Sequence, residues 1–161
     1  MNLRRIVYEA AETLRAVPLI AENEVPVVEM EKGDIRSRVA AEIGRTSCCL
    51  VVSLDSFTPT ATGKDGLYGE VSLIVSVFEK PVTNRLDEGD APAESPKFET
   101  SPTIMNLAQA AANALDRTQC EGMNGPFFLD EITPVVELSE PDFDGVVTCD
   151  AVFAARDLCI S

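Results

Sequence analysis

The chain has 161 residues, with 27 acidic and 13 basic side chains, a formal net charge of −14 and no histidine. That length suits one domain able to bury a core without staples, and the scattered basic residues lack the concentrated positive charge that nucleic acid or an acidic membrane surface requires. Without imidazole, Ser/His/Asp and Cys/His nucleophile systems and imidazole metal sites are excluded.

Leu3, Ile6, Val7, Ala10, Leu14 and Val17 recur at three- and four-residue spacing, which predicts an amphipathic helix ending before Pro18. Glu9 and Glu12 fall inside any signal core and the apolar runs are short, so neither a secretory leader nor a membrane span is expected. Val25 to Met30 reads as a short extended piece. Lys32-Gly33 then turns the chain and Asp34 can cap a second helix. Ile35, Val39 and Ile43 make one face of it, Arg36, Arg38, Glu42 and Arg45 the other, and Gly44 marks its end.

Cys48 to Phe57 reads as a strand, joined by a polar loop from Thr58 to Gly66 to the strand in Leu67 to Pro81. In the latter, Val71, Leu73, Val75 and Val77 alternate with Glu70, Ser72, Ile74 and Ser76, the period of a half-buried strand. The two are expected to pair antiparallel. Val82 to Thr100 is acidic, contains prolines and has almost nothing to bury, so a mobile loop is expected.

Ser101-Pro102 is a helix start, and Ile104, Leu107, Ala108, Ala111 and Leu115 make the buried stripe of a helix ending near Asp116. After a turn at Gly122 to Gly125 come two strands, Phe127 to Leu138 and Val146 to Arg156, flanking the hairpin signal Asp144-Gly145. Pro134 marks the first of them as an edge or a bulge. Together these elements define an α+β class: one domain over 1–161, with an antiparallel or mixed sheet, helices packed on one face and the order α-β-α-β-β-α-β-β.

Little in the chain promises chemistry. Cys48, Cys49, Cys120, Cys149 and Cys159 are odd in number and lack metal-like spacing, which fits reduced packing residues; Cys48 and Cys49, adjacent in a strand, should face opposite sides of the sheet. Glu137, Glu140, Asp142 and Asp144 cluster near the last hairpin but match no calcium loop. Gly63-Lys64-Asp65-Gly66 has no helix after it to receive a phosphate and reads as a turn. No catalytic, cofactor-binding or metal-binding residue is assigned, and no cofactor is expected.

The order of elements and three stretches resemble the tail terminator and related tail-completion proteins of long-tailed bacteriophages. Leu50-Val51-Val52-Ser53-Leu54 stands where that family has a strand before a polar loop. Tyr68-Gly69-Glu70-Val71 through Val77-Phe78-Glu79-Lys80-Pro81 fits its next strand, and Gly145 to Arg156 looks like its closing alternating strand. The second helix and the Val82 to Thr100 loop are larger than in compact members of the family.

The resemblance implies a non-enzymatic structural role: a ring, commonly of six copies, that caps the finished tail tube and presents a surface to the head. Its partners would be further copies of itself, tail-tube and head-completion proteins, and DNA that passes without sequence-specific binding, with no membrane. Assembly would occur in the bacterial host cytoplasm and the product would sit in the virion tail or neck. Acidic side chains lining such a channel would repel passing phosphates. The candidate contact residues are Arg36 and Arg38 on the second helix, Pro59, Thr60, Thr62, Lys64 and Asp65 in the polar loop, and Arg85, Asp87 and Glu88 in the acidic loop. A monomeric adaptor domain that binds one protein partner is the alternative; an enzyme built on the cysteines or distal carboxylates is a third.

Overall fold

A computed structural model describes residues 2–30, 35–81 and 101–160. In chain order its elements are α1 (Leu3–Arg15), α2 (Pro18–Glu22), β1 (Val27–Glu29), α3 (Ile35–Thr46), β2 (Cys48–Gly63), β3 (Gly66–Glu79), α4 (Ile104–Leu115), β4 (Phe128–Ile132), β5 (Val136–Glu137), a 3-10 turn (Pro141–Phe143) and β6 (Val147–Ile160). One six-stranded sheet runs in the order β1-β2-β3-β6-β4, with β5 also paired to β6. β1 is parallel to β2 and the other pairings are antiparallel, so the α+β class with a mixed sheet holds.

Alternation along the strands sorts the core into two layers. Cys48, Leu50, Val52, Val71, Leu73, Val75, Val77, Cys149, Ala151 and Phe153 face one side, where Ile6, Ala10 and Leu14 of α1, Ile20 of α2 and Leu107, Ala111 and Leu115 of α4 cover them. The alanines of α1 and α4 let helix backbones approach closely, and all of these helix residues are buried. On the other side Cys49 and Val51 pack with Val28, with Val39 and Ile43 of α3, and with Phe143 and Val146. The expectation of helices on one face therefore holds for α1, α2 and α4, whereas α3 lies on the opposite face. Five successive buried residues, Cys48 to Val52, give β2 two apolar faces, and the second must be covered.

Several boundaries differ from the sequence reading. Gly44 does not end α3; the helix runs to Thr46, and Ser47 at φ 66° turns the chain, its amide donating to the Ile43 carbonyl at 2.9 Å. The cap of α4 is Thr103, not Ser101: its hydroxyl accepts the Asn106 amide at 3.4 Å. The Glu79 carboxylate at the end of β3 takes the neighbouring orphan amide of Ile104 at 2.8 Å, which ties the helix start to the sheet. Pro134 divides the penultimate strand into β4 and β5, as an edge proline should. The expected mobile loop, Val82 to Thr100, lies outside the described residues.

The largest correction concerns Thr58 to Gly66. It is not a loop: β2 continues to Gly63 and meets β3 at Gly66 through a two-residue turn, Lys64-Asp65, so the two strands form one long hairpin. Register shifts leave Asp55 and Thr60 as extra residues on β2, and a third shift occurs where β3 meets β6 between Gly69 and Val71. Bulges increase local twist and bend. Pro59, which lacks an amide donor, sits beside one of them, a place where a strand tolerates proline.

Candidate assembly interface

The proximal half of the hairpin is core and the distal half is an arm. β2 passes from five buried residues to an exposed run from Thr58 to Gly63. β1 pairs only with Leu50 to Val52, so beyond that point the outer edge of β2 has no strand beside it among the described residues. On the other side β3 stays paired to β6 as far as Leu67 and Ile160, which keeps the arm three-stranded almost to its tip. Two aromatic rings brace it. The Phe57 ring lies against Gly69 and the Tyr68 ring against Gly63, covering backbone that would otherwise be bare.

The candidate residues fall on separate surfaces. Pro59, Thr60 and Thr62 are exposed on the outer strand of the arm, and Lys64 and Asp65 form its tip. Arg36 and Arg38 are on α3, which packs on the far end of β2; at ~3.3 Å per residue the tip lies on the order of 40 Å along the strand from Val51. The two arginines also differ in kind. Arg36 lies 5.7 Å from the centre of the Phe143 ring and is ion-paired to Glu140, so it clamps the segment after β5 onto α3. Phe143 in turn stacks on Phe78 with ring centres 6.5 Å apart. Arg38 is exposed. Arg85, Asp87 and Glu88 lie outside the described residues.

The sequence reading misses one exposed surface. Phe128 and Ile132 on β4, Val135 in the segment after it and Val136 on β5 are large apolar side chains left open to solvent, Phe128 at 53% and Val136 at 54%. In a sequence such residues in a strand read as core. Pro134, already an edge signal, is the clue that they need not be.

Among the described residues, no group of three or more His, Cys, Asp or Glu side chains is placed to hold a metal ion, and no helix is long and apolar enough to cross a membrane. Glu137, Glu140 and Asp144 border an open hollow, but Glu140 is held by Arg36. Cys48, Cys49, Cys120 and Cys149 are buried free thiols, and Cys48 and Cys49 do face opposite core layers. Burial, with Glu79 adding, pushes Cys48 up to about 11; burial and then Glu42 push Cys49 up to about 12; burial and then Glu9 push Cys120 up to about 11.

Raised thiols resist becoming the nucleophilic thiolate. Alkylation of these buried cysteines at neutral pH should therefore be slow and should accelerate only as the protein unfolds. The sign of the linked stability effect follows: folding favours the protonated thiols, so their contribution is complete below the unfolded value of 9.0 and is lost as pH rises towards 11 and 12. The melting temperature should fall between pH 8 and pH 10.5, and less steeply in Cys49→Ala; equal slopes in the two proteins would contradict the assignment.

A scan of the sequence against protein-family models finds no match, and a search of curated proteins finds none either. Among solved structures the fold is similar to a chain of the "Virion of native gene transfer agent (GTA) particle", with a TM-score of 0.52 and 17% identity over 92% of this chain and 91% of that chain. At that identity the likeness establishes a shared fold over most of both chains, which are of nearly equal length.

Proposed function

We propose that this chain is a structural protein of a phage-like particle, a tail-completion protein of the terminator type, which assembles into a ring of six that caps the tail tube and joins it to the head. The supporting observation is that its fold is shared, over 92% of the chain, with a chain from a gene transfer agent virion. The arm fits this role. A long hairpin whose outer edge is unpaired among the described residues, with exposed threonines along it, offers contact surface to a partner. The protein acts through contact area and no reactive group, with its own copies, tail-tube and head-completion proteins as partners, and its negative charge lets DNA pass without sticking.

The test is electron microscopy of particles from cells lacking the gene. Headless tails, or tails of unregulated length, are the expected result, restored by the wild-type gene. Normal joined particles would overturn the proposal and leave the single-partner adaptor as the better reading. Shortening the arm by removing Pro59 to Gly66 and rejoining the strands should reproduce the deletion phenotype while leaving the melting transition of the purified protein cooperative.

A further inference from the structure

The two ends of the sheet differ in chemistry. At one end stand β1, with Met30 51% exposed beside it, and α3. Positions three or four residues apart share a helix flank, and so do positions seven apart. Arg36 is on the flank facing Phe143, which packs over β3 through Phe78. Arg38 and Arg45, seven apart, share a flank other than that of Arg36, and both are exposed. Arg45 is ion-paired to Glu42 one turn away, at 2.7 Å and in solvent, and feels Glu24 just ahead of β1; such an exposed pair is easily exchanged for another carboxylate.

At the opposite end, β4 and β5 present Ile132, Val135 and Val136 between exposed Asp130, Glu131 and Glu137. This is an apolar centre with an acidic rim, the layout of a protein interface. It is not built for adding another strand. Asp116 already accepts the outward amide of Leu129 at 2.9 Å, Asp130 is a bulge residue and Pro134 has no amide to give. An occupant is therefore chosen by its side chains, and acidic rims select arginine.

We infer that the acidic, apolar β4–β5 edge of one copy receives the Met30, Arg38 and Arg45 end of a second copy, so that the chain joins head to tail through opposite ends of its sheet. This rests on the ring reading above and names the contact that would build the ring. Head-to-tail contacts of one kind close into a ring when the rotation permits, and they place a favourable ion-pair set at each junction of a chain whose net charge of −14 would otherwise drive copies apart.

Charge reversal tests it, because all four charged positions are exposed and should tolerate substitution. Arg38→Glu with Arg45→Glu, and separately Asp130→Lys with Glu131→Lys, should each reduce joined particles about tenfold or more through like-charge repulsion. The quadruple variant should restore them. Independently, a chain carrying Arg38→Cys and Glu131→Cys should give an oxidised ladder of multimers in purified particles, and a chain carrying only one of the two should not. Failure of the quadruple variant to rescue, or absence of the ladder in protein that is incorporated and folded, would overturn the contact while the ring reading stood. Absence of the protein from particles, with normal joining when the gene is removed, would overturn both.

Discussion

Val75→Asp should abolish the native fold. Val75 is fully buried on the central strand, paired with Val52 of β2 and Ala151 of β6 and facing the layer that α1 and α4 cover. A carboxylate there has no partner and no water, and such a group costs several kcal/mol against a total domain stability of about 5–15 kcal/mol. Leu73→Ala, one step along the same face and equally buried, should leave a folded protein weakened by about 2–5 kcal/mol through lost burial and a cavity. Ser72→Leu, on the opposite and only half-covered face, should change stability by less than about 1 kcal/mol. Urea titrations with a common slope would rank the three; a Ser72 variant weaker than Leu73→Ala would mean that the two faces of β3 have been interchanged.

That ranking is legible in the amino-acid sequence alone, because β3 obeys the period of two without exception from Glu70 to Val77 and one of its faces is wholly buried. α1 and α4 are legible for the same reason, each with an apolar stripe at helical spacing and a sharp stop. Where the periodicity is weak, legibility fails. Thr58 to Gly63 looks like a loop because a strand that buries neither face has no hydrophobic pattern, and Pro59 beside Thr60 argues against pairing unless a bulge accommodates them, as it does. The placement of α3 is hidden for a related reason. The run Cys48 to Val52 announces a strand covered on both faces, but nothing in it says which helix takes which side.

The candidate contacts divide along the same line. Polarity alone picks out Arg38 and the arm residues, and they are exposed as expected. The β4–β5 edge escapes such a search because Ile132, Val135 and Val136 look like interior residues in a one-dimensional text. Only the sheet order, which leaves β4 outermost and Pro134 breaking its edge, turns them into surface. Arg36 is exposed too, but it also holds Glu140 and lies over the Phe143 ring, contacts that polarity alone does not announce.

Gly69 should prove the most sensitive position of the arm. It is buried where β3 crosses β2, and a Cβ at this position would collide with the Thr58 carbonyl oxygen and come within 2.7 Å of the Phe57 ring edge. The Thr58 carbonyl is backbone in a paired strand, so Gly69→Ala must push β2 and β3 apart, a strain of about 1–3 kcal/mol by analogy with overpacked cores. Gly63 offers a control in the same hairpin. Its Cβ would meet Tyr68 at 2.6 Å, but what it meets is the far side of a ring at an exposed tip, which can swing away. Gly63→Ala should therefore be mild and Gly69→Ala severe, although either residue read from sequence alone is just a turn-prone glycine. Hydrogen exchange locates the damage: the Gly69 variant should lose protection from Phe57 to Gly63 and from Leu67 to Val71, while the proximal ladder around Val52 and Val75 keeps it. If contact through the arm is what the particle needs, this variant should remain soluble and cooperative in melting yet fail to join heads to tails. Unchanged protection throughout the arm would show that β2 and β3 are not held as closely as the Thr58–Gly69 approach requires.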